Sequence, residues 1–393
     1  MVGEAASLPR GGSASRWLFA TAPLAPVAAG GLLLAAGAAA IRTPWAAQTL
    51  ALTHLATLGF LVIGLAGALY GALPEAECIT RGGVPLWRVV HGGLCLGVAG
   101  LASGFLTAAR PLLFASLGVL FVAMLLLFLS IVPPLARLRA ASAPALRTAV
   151  GSLALTAFFG LWMGHAHVGV TLPGDRALWL QVHLSLGLLG WVGGFAGATA
   201  PGPRVGGAES LIRIGVALTA LTWAVEIFAG LDGRGVDAST AAGLAALPAA
   251  AAVWGLRSWA ALRAPRASVW VRASAVMAWI AGAAAVSALV SHAPRAQLLF
   301  GWLAIWGWAG LFVHGLIRDE LEREEAAAPQ RARAAVGLHG AALVCGVGAI
   351  ALVSDALARA TGLLLVGTGV ATGRDLLRRC RERGGAAHPD EAR

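Results

Sequence analysis

Twelve stretches of this chain are continuously apolar over about the length that crosses a bilayer, and no other feature constrains its fold so strongly. They run at 17–41, 47–73, 86–108, 111–135, 147–171, 177–200, 209–230, 239–262, 268–291, 296–317, 333–354 and 356–373. A hydrocarbon layer of about 30 Å takes roughly 20 helical residues. The runs do not alternate in polarity, which excludes an outer-membrane barrel. Charged residues make up 12% of the chain, about half of what a soluble domain carries. The expected fold is an all-α polytopic integral membrane protein of about 12 transmembrane helices, the last two alternatively forming one helical hairpin. A single membrane domain, 17–373, would lie between a tail at 1–16 and an Arg-rich tail at 374–393, with one charged loop at 318–332.

The charges orient this array. All 29 basic residues are Arg, and the formal net charge is +11. With the N-terminus inside, 23 of the Arg fall on inner segments and six, Arg42, Arg110, Arg176, Arg234, Arg295 and Arg359, fall outside. That asymmetry in short loops is the positive-inside pattern, and it favours an even helix count with both termini cytoplasmic. The basic excess therefore reports topology and contact with anionic lipid, not nucleic-acid binding. The Arg-, Ala- and Gly-rich usage fits a GC-rich bacterial genome, hence a bacterial inner membrane. Residues 1–16 hold no short apolar core with a cleavage site, so no removable signal peptide is expected. Cys78, Cys95, Cys345 and Cys380 show no CxxC or zinc spacing and read as buried or free thiols.

Chemistry enters through histidine. "THLATLGFLVIGLAGALYGALP" at 53–74 and "QVHLSLGLLGWVGGFAGATAP" at 181–201 share a plan: His, Leu-Gly-aromatic, Gly-Ala, Pro. On the expected topology His54 and His183 lie a turn or two below the outer surface. His165 and His167 in "GLWMGHAHVGV" and His292 in "LVSHAPR" fall in the same layer, with Glu226 of "TWAVEIFAG". His91, His314 and His339 fall on the inner side, and His388 in the tail. Ionisable groups inside a membrane are costly and read first as functional. The competing reading is polar glue between helices, contributing about 0.6 kcal/mol per bond. A neutral imidazole ligates haem iron, copper or zinc. His165 and His167 are two apart, so a regular helix turns them to nearly opposite faces. Gly59, Gly64, Gly67 and Ala68, and Gly187, Gly190, Gly193, Gly194 and Gly197, allow either close helix packing or room for a flat macrocycle. Trp162, Trp179, Trp191 and Trp223 lie near this layer, where they could pack against a ring.

Twelve helices, cytoplasmic termini and buried His at the outer heads of helices two and six resemble subunit I of the haem–copper oxidase superfamily. "HLATLGFLVIGLAGALYGALP" and "HLSLGLLGWVGG" are similar to its divergent small members, including the NnrS family of haem- and copper-containing proteins linked to nitric oxide. "HAH" in helix five and "HGGLCLGVAGLASGFLTA" at 91–108 resemble that family too. The resemblance implies a subunit I-like bundle in which His54 is a low-spin haem ligand and His183 binds a non-haem metal. The departures are substantial. Helix seven has Glu226 in place of a His-His pair, helix ten has no His-x-His at its outer head, and the sole Tyr, Tyr70, ends helix two. A complete proton-pumping oxygen reductase is therefore not expected.

A reduced site is. One haem b held axially by two of His54, His165, His167, His183 and His292 is the first expectation. His183, His292 and Glu226 are candidate ligands for copper or non-haem iron, and Arg42, Arg176 and Arg295 are candidate partners for haem propionates. The loop arginines have the competing reading of plain solvation. Expected partners are the lipid bilayer, a small gas such as nitric oxide or oxygen, and other membrane redox subunits. The functional expectation is a membrane haem-binding protein of respiratory or nitric oxide metabolism. The alternatives are a proton- or metal-coupled transporter using the His/Glu layer, and a scaffold whose histidines are structural. The charged stretch "RDELEREEAAAPQRARA" at 318–334 reads as a helical extension with paired charges.

Overall fold

The computed structural model describes residues 12–81, 83–140, 142–169, 176–199, 268–291, 293–322 and 329–386. Ten helices among the described residues are long and apolar enough to span a membrane. They are α1 (Ser13–Ile41), α2 (Ala47–Ala72), α3 (Leu86–Thr107), α4 (Arg110–Arg137), α5 (Ala143–His167), α6 (Val182–Thr199), α7 (Val269–Ala288), α8 (Pro294–Arg318), α9 (Ala334–Leu352) and α10 (Asp355–Leu376). Each coincides with one of the expected apolar runs, and α9 and α10 are two separate helices. The two further runs, 209–230 and 239–262, lie outside the described residues. The protein is an all-α, multi-pass membrane protein.

Its exterior is apolar. Leu96 on α3, Val344 on α9 and Phe114 on α4 are each at least 60% exposed, a surface that suits lipid and would be an aggregation hazard in water. Burial sorts the helices into two shells. In α2, α8 and α6, respectively 83%, 72% and 56% of the most apolar window is buried; no other span exceeds 44%. Helix α8 packs against both α2 and α6. These three inner helices share a second property: each contains a π-helical segment, Leu55–Val62, Leu186–Val192 and Leu303–Gly310. A π turn widens the helix and re-aims the side chains that follow it, and such segments concentrate at functional sites.

Small residues set the helix contacts. Gly93, Gly97, Gly100 and Gly104 form a stripe on α3, and a Cβ at each would meet Ala123, Leu120, Ser116 and Leu113 of the antiparallel α4. The glycines quoted above from 91–108 are therefore a close-packing face. Gly30 of α1 and Gly362 of α10 cross so closely that a Cβ on either would collide with the other's carbonyl oxygen. At the end of α1, Gly37 takes φ 56°, a conformation that favours glycine. Asp355, which opens α10, accepts the Ala38 N–H at 3.0 Å and pairs with Arg359 at 2.8 Å. On the opposite face Arg147 of α5 donates to the carbonyls of Leu135, Ala136 and Leu138, capping the proline-containing end of α4.

Candidate functional site

The end of the bundle where α2 and α6 begin carries the expected histidine layer. His54 is the eighth residue of the helix that opens at Ala47, and His183 is the eighth of the helix that opens at Arg176. In both, the π-helical segment follows within three residues. The shared sequence plan is thus also a shared backbone plan.

Three imidazoles in this layer are held the same way. Nδ1 of His54 lies 2.7 Å from the Leu50 carbonyl, Nδ1 of His165 2.6 Å from that of Leu161, and Nδ1 of His183 3.0 Å from that of Thr156. A carbonyl can only accept, so Nδ1 carries the proton and Nε2 keeps its lone pair. None of the three Nε2 atoms has a hydrogen-bond partner among the described residues. That is the arrangement of a metal-ligating histidine, whose second nitrogen donates to a backbone carbonyl and fixes the ring. The first two bonds reach back one turn within the same helix, whereas His183 reaches from α6 across to α5. Gly160, one turn beyond Thr156, makes that reach possible: a Cβ there would lie 2.8 Å from His183 Cε1.

The partners divide the layer. Phe105 of α3 packs against both rings, 5.3 Å from that of His54 and 5.4 Å, edge-on, from that of His167. His165 instead meets Phe114 of α4 at 5.9 Å. The two residues of "HAH" therefore address different neighbours, as about 100° of rotation per residue requires. His54 and His183 lie at the same end of the bundle, each eight residues into its helix.

Other expectations resolve differently. At Gly59, Gly64, Gly67, Gly187 and Gly194 a Cβ would press on Ala25, Val313, Phe19, Thr156 and Ala149. Neighbouring helices pack against these five glycines, as a close-packing face does. Trp162 and Trp179 stack on one another with ring centres 6.2 Å apart, and Trp191 is buried beside Phe195. Arg42 and Arg295 are exposed, and Arg176 opens its helix. His292, Glu226 and Trp223 lie outside the described residues, as do their expected roles. Among the described residues no group of three or more His, Cys, Asp or Glu side chains gathers as a metal site.

Phe105, Phe114 and Gly160 carry no signal in the sequence, because their roles come only from helix pairing. His314 and His339 lie apart from the outer layer. Both are fully buried, and their rings face each other with centres 5.0 Å apart. The signal was available: His314 lies three residues before the end of the run 296–317 and His339 six residues after the start of the run 333–354, on the same side of the array. No protein-family model matches the chain, and no curated protein matches it.

Proposed function

We propose that this protein is a membrane redox or gas-responsive haem protein, with a b-type haem held by the imidazoles of His54 and His183. The observation that carries the reading is the common fixing of Nδ1–H on a backbone carbonyl, which leaves Nε2 of both residues as a lone-pair donor in one layer. Haem b, when bound, would supply one-electron redox chemistry, and a small gas would bind its iron only by displacing one of the two imidazoles. The protein's part is to orient and to exclude water. The Leu50 and Thr156 carbonyls hold the two rings and raise their basicity, and Phe105 closes the side of His54 that faces α3. His183, whose ring is fixed in the same way at the same end of the bundle, is taken as the partner of His54. The likeness to haem–copper oxidase subunit I, the NnrS-like branch, a bacterial inner-membrane location and a twelve-helix count belong to this proposal. So does a further copper or non-haem iron at His292 and Glu226.

The test is the oxidised and dithionite-reduced absorption spectrum of the detergent-purified chain, with haem and copper quantified and the spectra repeated under nitric oxide. A sharp reduced α band at about one haem per chain, lost in His54→Ala and in His183→Ala, is the expected result. Colourless protein from haem-replete cells would overturn the reading and leave the transporter alternative to be tested by metal and proton flux.

A further inference from the structure

A second histidine cluster occupies the interior on the other side of the inner helices. His314 of α8 and His339 of α9 are 0% exposed, and so is Trp270, which opens α7. Trp270 stacks on His314 with ring centres 5.2 Å apart, and Phe60 of α2 approaches the same imidazole at 4.7 Å. One turn beyond His314, Arg318 is 4% exposed and pairs with Asp375 of α10 at 2.5 Å.

The hydrogen-bond inventory of this cluster is incomplete. Nε2 of His339 lies 2.8 Å from the Trp306 carbonyl, at the π-helical segment of α8. It must donate, so Nδ1 of His339 holds a lone pair. That Nδ1, both ring nitrogens of His314 and the Trp270 indole nitrogen are buried without a partner among the described residues. Buried polar side-chain atoms nearly always find a partner. Four unpartnered nitrogens on three touching rings point to something that binds there.

We infer that His314 and His339 form a copper(I) site, distinct from the His54–His183 pair and independent of the haem reading. The donor set selects the ion. Two neutral imidazoles with no free carboxylate suit copper or zinc and disfavour magnesium, calcium and manganese. Among the described residues the acidic group beside the cluster, Asp375, is paired with Arg318, so that pair adds no net negative charge. A monovalent ion is less costly to bury there than a divalent one. The 5.0 Å between ring centres is short enough for the two imidazoles to share one ion. The Trp306 carbonyl on His339 is the outer contact that a ligating histidine uses. Two protein ligands leave room for an exogenous one, and the Trp270 N–H is available to donate to it.

The test uses full-length protein in detergent, titrated with copper(I) against a colorimetric copper(I) chelator. To separate this site from the outer layer, His54→Gln/His183→Gln protein is the reference. That protein is expected to retain one copper(I) per chain. Adding His314→Gln or His339→Gln should weaken binding by more than about 100-fold, beyond the 10–100-fold that losing an outer contact costs. X-ray absorption of the copper-loaded reference protein should show two imidazoles on the ion, which covers the case in which the added variants fail to fold. No stoichiometric copper(I), unchanged affinity in the folded variants, or a sulfur-ligated ion would each overturn the assignment. Zinc(II) binding as tight as copper(I) would overturn the choice of a monovalent ion. None of these outcomes depends on whether the outer layer holds haem.

Discussion

Gly160 illustrates how a single backbone position can decide where an imidazole points. The His183 ring lies where a side chain at 160 would be, and its Nδ1–H crosses to the Thr156 carbonyl of the same helix. Gly160→Ala should force the ring or α6 to shift, at about 1–3 kcal/mol for overpacking. The expected outcome is a lower unfolding midpoint in detergent with helical circular dichroism retained; an unchanged midpoint would mean that the ring slides away freely. A second residue-scale expectation has an asymmetric sign. Tyr70 and Ser130 are both 0% exposed and 2.7 Å apart, and Ser130 donates onward to the Leu127 carbonyl at 2.8 Å. Tyr70 is therefore the donor to Ser130. Tyr70→Phe removes a donor and leaves Ser130 with its own bond, costing about 0.5–1 kcal/mol. Ser130→Ala strands a buried phenol O–H and should cost more, about 1–3 kcal/mol. Equal costs in a denaturant titration would contradict that donor assignment.

At the scale of elements, glycine placement controls how closely helices approach. The stripe Gly93, Gly97, Gly100 and Gly104 brings α3 onto α4, and the Gly30–Gly362 crossing brings α1 onto α10. Gly97→Leu would place a branched side chain on Leu120, whose Cγ and Cδ2 would lie only 2.6 Å from the new Cβ. It should destabilise the α3–α4 pair far more than Gly92→Leu, where nothing lies within 4 Å of the added Cβ. Comparative unfolding of the two variants checks this, and equal loss would mean that helix propensity rather than contact sets the cost. The spans were legible in the sequence because about twenty consecutive apolar residues can satisfy their backbone in lipid only as helix. That His54, His165, His167 and His183 share one end of the bundle was legible for the same reason, since rise per residue is fixed. Lateral pairing was not. Which face of α5 meets α6 depends on Gly160, and which ring stands beside His54 depends on Phe105, a residue that looks like any other apolar one in its run. The π-helical segments were equally hidden, because Leu-Gly-aromatic sequences do not differ from ordinary membrane helix. The outer glycines were ambiguous for a related reason: small residues admit a cofactor or a neighbouring helix alike, and Gly59, Gly64, Gly67, Gly187 and Gly194 have neighbours on α1, α5 and α8.

For the whole molecule the outstanding question is which way the bundle faces, and the charges give a definite expectation. Arg is concentrated on the segments that share a side with the loop between α2 and α3, and cytoplasmic loops carry that excess. That loop contains Cys78, which is exposed just after the turn Pro74–Glu77. Arg42, exposed between α1 and α2, lies at the opposite end of α2. An impermeant maleimide should therefore leave Cys78 unlabelled in intact cells and label it in inverted membrane vesicles, with Cys380 replaced by Ser. An Arg42→Cys protein that also lacks Cys78 should behave in the opposite way, labelling from outside. Reversed labelling would put the His54–His183 layer on the cytoplasmic side and the His314–His339 cluster toward the outside. The two histidine layers would then exchange the compartments from which they draw ligands, copper included. Orientation thus bears directly on the proposed chemistry: with the expected labelling, a gas or a proton would reach a haem at His54 from outside, and copper(I) would reach the proposed site at His314 from the reducing cytoplasm that keeps it monovalent.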